Sequence, residues 1–323
     1  MLSVKLKEDR VHVGDRFSVS FQRTLRIPDD GRQYPLPPGL GKFPIHSVAQ
    51  FAGRVPKSWM GENNFFIPMY QREALWLGFE GAAWKPNAVK IGIGMVNAIT
   101  GEEWDKGLKA EPQNYIVVPL QPWLDGIKTG EGMIRQFVAM QLGLGYTIEA
   151  QVTSEEKFGG VQIIVYEPKP GRFPDHAPPE PKDGFRGKPA KGMVFEMGLG
   201  AGGQMKQKIY PDPHGVDAWD QENYSSIIIY IVNTVQYREI TGREPPPSPI
   251  DAKTYTEFGL PWFDLYDEEM GDLAASDKLK KIKSIRDIDQ EKAVTPGDES
   301  IDITDSAIRK LHLPPGVKKK KKD

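Results

Sequence analysis

The chain contains no cysteine among its 323 residues. Disulfides, thiolate metal sites and a cysteine nucleophile are thereby excluded. Histidine is scarce, with only His12, His46, His176, His214 and His312. Long apolar runs are lacking as well. The most apolar, "IIIYIV" at 227–232, falls far short of the ~20 residues that a bilayer-spanning helix needs. The start, "MLSVKLKEDR", has no apolar core of the kind a signal peptide carries. A soluble, cytoplasmic protein is therefore expected. Charge of one sign is missing too. The net charge is −2, which supplies no general field to draw in nucleic acid. No G-x-S-x-G elbow marks a serine nucleophile, and nothing selects a glycosidase pair from the 44 acids.

Apolar side chains are plentiful enough, at 39% of residues, to build a real core. The 28 prolines and 33 glycines point to many turns and few long helices. Period-two alternation is the main structural signal. In "DRFSVSFQ", Phe17, Val19 and Phe21 share one face; in "VKIGIGMV", Val89, Ile91, Ile93 and Met95 do, opposite Gly92 and Gly94. "YTIEAQVT" at 146–153 alternates in the same way. These read as half-buried strands of antiparallel sheets, and the glycine face at 92–94 predicts close approach of another backbone. "VQIIVYE" and "SIIIYIV" are apolar on both faces and suit central strands. "SPIDAKTYTEFG" reads as a helix, with Ser248 as N-cap, Asp251 at the capping-box position and Gly259 as its end. "SDKLKKIKSIRDIDQEK" sets Leu279, Ile282, Ile285 and Ile288 three apart, one apolar stripe on a charged helix.

Comparing the chain with itself suggests a duplication. "MYQRE" at 69–73 matches "MKQKI" at 205–209, and "VN" recurs at 96–97 and 232–233. "ITGEE" at 99–103 matches "ITGRE" at 240–244, and "PWLD" at 122–125 matches "PWFD" at 261–264. The expected fold is mainly β, with two related antiparallel β-sandwich-like halves and a short helical C-terminal segment. The first half, with extra strands, spans 1–166. A Pro/Lys-rich linker covers 167–192, the second half 193–266, the helical segment 267–313 and a basic tail 314–323.

Candidate chemistry gathers in the second half. "GLGAGG" followed by "PDPHGVDAWD" satisfies G-x-G-x-x-G, but Pro211 and Pro213 forbid the long helix that a dinucleotide site needs after its glycines. Asp212, His214, Asp217 and Asp220 lie close in sequence. Of these, Asp212, His214 and Asp217 are candidate ligands for a divalent metal. The same residues read equally as tight turns, in which Asp and Gly supply the torsions. Arg72, Arg135, Lys206 and Lys208 lie near predicted strands and bind an anion only if they point inward together; otherwise they are solvated charges.

The motifs "VGDRFSVSFQRTLRIPDDG", "PMYQREALWLGFEG", "VKIGIGMVNAITGEEWD" and "MGLGAGGQMKQKIYPDPHGVDAWD", in this order, resemble a family of bacterial proteins of no known activity. The resemblance covers most of residues 11 to 290. It implies a bacterial source and a shared architecture, and brings no cofactor or catalytic residue with it.

The expectation is then a non-catalytic binding or structural protein, self-associating or not. Its 211–220 loop makes the ligand or partner contact, with Asp212, His214, Asp217 and Asp220 beside Arg72, Arg135, Lys206 and Lys208. No catalytic residue and no cofactor are expected. The alternative is a metal-dependent hydrolase using the same loop. A homo-oligomer, a small molecule or a protein is the expected partner. Nucleic acid or a membrane surface enters only through Lys318–Lys322.

Overall fold

The computed structural model describes residues 1–176, 194–265, 270–295 and 300–311. It is mainly β, with one large, predominantly antiparallel sheet and few helices. Phe17–Thr24 pairs with Ala74–Glu80, which pairs with Met133–Gln141, which pairs with Val194–Lys206. The last of these meets Trp219–Asn233, beside which lie Val161–Pro168 and then Asn87–Ile93. Val161–Pro168 thus stands between strands from both sides of the segment expected to be a linker. Two parallel additions interrupt the pattern, Asn64–Pro68 beside Trp219–Asn233 and Gln33–Tyr34 beside Val194–Lys206.

Alternation decides which side chains are buried in common. Phe17, Val19 and Phe21 meet Leu75 and Leu77, and also Ile91, Ile163 and Ile229 from the other arm of the sheet, in one core cluster. The strands expected at 15–22, 161–167 and 226–232 fall within or on Phe17–Thr24, Val161–Pro168 and Trp219–Asn233, while that expected at 89–96 ends at Ile93, where Gly94 and Met95 turn at positive φ into Val96–Asn97. The opposite face of the first is polar yet still buried. Ser18 and Ser20 accept hydrogen bonds from Arg10 at 3.0 and 3.2 Å.

The strand expected at 146–153 is a helix instead, Ile148–Thr153. Thr147 caps it by accepting from the Ala150 amide at 3.1 Å. Glu149, read as a solvent-facing strand residue, is buried. Its carboxylate accepts from the amides of Lys157, Phe158 and Gly159 at 2.8–2.9 Å. That use of its charge requires the next loop to fold back over the helix, which period-two counting does not register. The glycine face at 92–94 is covered by side chains rather than by backbone. A Cβ on Gly92 would lie 2.7 Å from the Trp104 ring, and one on Gly94 2.6 Å from Glu149.

The duplication finds no support in the strand pairing. Met69 follows Asn64–Pro68, whereas Met205 lies inside Val194–Lys206. Trp123 pairs antiparallel with Gly78, whereas Trp262 pairs parallel with Ile308. The matched words share a local job. The Oδ1 atoms of Asn97 and Asn233 each accept from a backbone amide two residues on, at 2.9 and 3.0 Å. Gly101 and Gly242 each sit at positive φ and donate their amide to the carbonyl four residues back, at 2.9 and 2.7 Å. An Asx turn and a left-handed glycine are common ways to end a strand or a helix turn, so similar words arise without common descent.

The helical readings are refined in position. Asp251, and not Ser248, caps Ala252–Glu257 by accepting from Thr254 N at 2.8 Å, and Gly259 ends the segment at positive φ. The stripe Leu279, Ile282, Ile285, Ile288 is buried as expected, but the single helix is two, Asp277–Lys280 and Ile285–Glu291. Ser284 restarts the second with a full capping box to Asp287. Residues 167–176 lie on the body, where Lys169 donates to the Ala218 carbonyl at 2.9 Å and Phe173 stacks on Trp219. Residues 177–192 of the expected linker and the whole lysine tail lie outside the described residues. Among the described residues no helix is long and apolar enough to cross a membrane.

His46 is buried between Phe66 and Tyr237, with Nε2 2.8 Å from the Tyr237 hydroxyl. Burial, reinforced by Arg243, pushes its imidazole down to about 4. Stability from a lowered histidine is present above its ordinary value and is lost as pH falls through the folded one. His46→Gln should therefore gain about 3 kcal/mol relative to the parent chain between pH 7 and pH 4, as read from denaturant midpoints. No relative gain would mean that the imidazole is not held neutral.

Candidate binding groove beside the 211–220 loop

The loop begins where the chain leaves the Val194–Lys206 strand and is pinned by side chains on both sides. Gln207 Nε2 donates to Asp125 Oδ2 at 2.7 Å, and Gln121 Oε1 accepts from Tyr210 N at 3.1 Å. Pro211 and Pro213 then fix φ on either side of Asp212. Asp212 Oδ2 accepts from the Tyr115 hydroxyl at 2.6 Å and from Trp219 Nε1 at 2.8 Å. Its Oδ1 accepts from His214 N at 2.7 Å, and its own amide donates to Gln113 Oε1 at 2.8 Å. One carboxylate thus ties the turn to itself, to the buried Trp219 and to the 113–115 segment. Charge-assisted hydrogen bonds of this kind are among the stronger ones. Burial first, and then the Asp212 anion to which it donates, push the Tyr115 hydroxyl far up, so it stays a donor.

The other singled-out residues are placed separately. The His214 ring is set edge-on to Phe173 and Trp219, with centroids 5.0 and 5.8 Å away, and burial lowers its pKa. Asp217 is exposed, and Asp220 Oδ1 accepts from Glu222 N at 3.1 Å. Among the described residues no three His, Asp or Glu side chains gather as a metal site. The glycine run belongs to an extended strand. A Cβ on Gly203 would lie 2.3 Å from the Pro28 carbonyl oxygen, and one on Gly200 3.0 Å from that of Tyr146. No helix starts there to face a pyrophosphate.

The four basic residues are also apart. Arg72 holds Asp289 with two hydrogen bonds of 2.7 and 2.6 Å, and Tyr146 donates to the same carboxylate. Arg135 reaches Asp29 at 3.3 Å, and Lys208 reaches the Met270 carbonyl at 3.4 Å. Lys206 lines a small cleft near Arg32 and Tyr34. Arg72 lines a different and larger one, of about 790 Å³, between the Tyr70–Ala74 turn and residues 248–257. Three of the charged groups on its walls, Glu73, Arg72 and Asp251, serve the fold. Glu73 accepts from Arg23 and from Tyr70 N, Arg72 is held by Asp289, and Asp251 is a helix cap.

A groove of about 520 Å³ runs along the 211–220 loop, within the usual range for ligand pockets. Pro211, Asp212, Gly215 and Val216 form one wall. Ile99 and Thr100, with residues 110–113 and Tyr115, form the second; Leu273–Asp277 forms the third. Apolar groups dominate: Ile99, Ala110, Pro112, Val216, Leu273 and Ala274. Thr100, Glu111, Gln113, Tyr115, Asp212, Ser276 and Asp277 supply its polar groups. Sequence reasoning found the Asp212 wall but missed Tyr115, Gln113 and Leu273–Asp277. Nothing local marks these, since the partners lie about a hundred and about sixty residues away along the chain.

Comparison with protein-family models, with curated proteins and with solved structures found no match to the chain.

Proposed function

We propose that this chain is a non-catalytic binding protein, a β scaffold that presents the groove beside residues 211–220 to a ligand or partner. The observation that carries this reading is the state of Asp212. Its carboxylate is engaged by a tyrosine hydroxyl, an indole N–H and a backbone amide, so it maintains shape and is not held ready to ligate a metal or move a proton. A wall that is rigid before binding loses little freedom when a ligand arrives. We read the two arms of the large sheet as a sandwich-like support for that wall, without the duplication. Among the described residues the hydrolase alternative has no gathered ligand set to favour it.

Ala274 is exposed and lines the groove, so Ala274→Trp obstructs the groove without disturbing the core. A fragment screen of the full chain by amide chemical shifts should give hits on residues 99–100, 110–115 and 211–216. Those hits should vanish in Ala274→Trp, with unfolding unchanged within ~0.5 kcal/mol. Hits that survive the obstruction, or fall elsewhere, would remove the groove from consideration. Stoichiometric metal in the native protein that disappears in His214→Ala would instead make the hydrolase the leading reading.

A further inference from the structure

The groove is asymmetric in charge. Glu111, Asp212 and Asp277 line it, and among the described residues no lysine, arginine or histidine does. Asp277 pairs with Lys280 at 3.0 Å, but both side chains of that pair are more than half exposed, and such pairs hold weakly. Asp212 is half-buried and committed to its turn, so Glu111 and Asp277, both exposed, are the carboxylates that can meet a ligand. The same groove carries the apolar lining of Ile99, Pro112, Val216 and Leu273. Lysine and arginine side chains have the matching form, an apolar stem with a cationic head. A volume of about 520 Å³ is several times that of one such side chain, so a single amine would leave most of the groove empty, whereas a segment of a few residues fills it.

Building on the binding reading above, we propose that the groove takes a basic peptide segment of a partner protein, with apolar residues on the lining and a lysine or arginine head toward Glu111 and Asp277. Charge complementarity of this kind sets partner choice more than raw affinity.

The test uses fluorescently labelled six-residue peptides on the full chain. One alternates leucine with lysine and its counterpart alternates leucine with glutamate; spermidine serves as a free-amine competitor. The lysine peptide should bind at least ~10-fold more tightly than the glutamate peptide, and more weakly as salt rises. The double variant Glu111→Gln/Asp277→Asn should weaken it about three- to tenfold. Ala274→Trp should abolish binding of both peptides. A control at exposed acids outside the groove lining, Glu62→Gln/Glu239→Gln, should leave the affinity unchanged. Equal affinity for the two peptides, or an equal loss in the control variant, would overturn the cationic assignment while leaving the groove intact. Binding untouched by Ala274→Trp would overturn the groove reading itself. Displacement by spermidine at the peptide's own concentration would replace the peptide by a free amine.

Discussion

Asp272→Ala should destabilise the protein by about 3–5 kcal/mol, the cost of breaking a buried ion pair by removing one partner. Asp272 is placed by an irregular segment, yet its carboxylate reaches deep into the sheet. It accepts from Lys128 Nζ and from the Gly132 amide on one oxygen, and from the Ile209 amide at 2.8 Å on the other. The Lys128 side chain is 0% exposed and that of Asp272 only 7%. Replacing Asp272 by alanine strips the ammonium of its buried counter-charge and two amides of their acceptor. Asp272→Asn keeps the shape and one acceptor, and should recover part of the loss. The effect should also spread in a defined direction. Leu273 N donates to the Ile209 carbonyl at 2.9 Å, and the residues that follow, up to Asp277, are one wall of the groove. Hydrogen exchange should therefore accelerate first at Gly132, Ile209 and Leu273. A loss within ~1 kcal/mol would show that water reaches Lys128 readily and that the pair adds little.

That contact illustrates what the sequence could and could not reveal. Alternation pointed to Phe17–Thr24 and Asn87–Ile93, because one face of each meets the shared core and a period of two records it, whereas Val161–Pro168 and the stretch at 226–232 were legible as short runs apolar on both faces. The same logic found the buried stripe from Leu279 to Ile288, although Ser284 splits its helix. Period says which face is covered and is silent on what covers it. Gly92 is roofed by Trp104, and Glu149 is consumed by three amides beyond its own helix. Both are tertiary choices. At the candidate site, the prolines around Asp212 signalled a stiff turn, and the turn is there. The partners Tyr115 and Gln113 carried no local signature. Long-range ion pairs were the least legible of all. Arg72 and Asp289 lie on different elements far apart in the chain, and each, read locally, is an ordinary surface charge.

Asp125→Asn should reveal a pH dependence that the parent chain largely conceals. Asp125 is buried with Gln207 as its partner and Trp123 beside it, and burial pushes its carboxyl up to about 7. For an acid whose folded value is raised, stability is present below the unfolded value and is lost as pH climbs through the folded one. From its ordinary value of 3.8 to about 7, the loss amounts to about 4 kcal/mol. Asparagine cannot ionise, so the variant should gain that amount relative to the parent between pH 4 and pH 8. A hydrogen bond lost to its amide would lower the whole curve by about 1 kcal/mol without changing the slope. His46 contributes in the opposite sense over an overlapping range, because its imidazole costs stability as pH falls from 6.5 toward 4. Between pH 4 and 6.5 the two slopes have the same size and opposite sign, and the parent's curve, as far as these groups set it, should be nearly flat. His46→Gln alone should leave stability falling with pH, and Asp125→Asn alone should leave it rising. The double variant should be flat again, since the two residues belong to different core regions and such distant effects add. A parent curve that already falls steeply from pH 4 would mean that His46 is not held neutral. A flat curve in His46→Gln would mean that Asp125 ionises at its ordinary value, with water or a cation at hand to stabilise the charge.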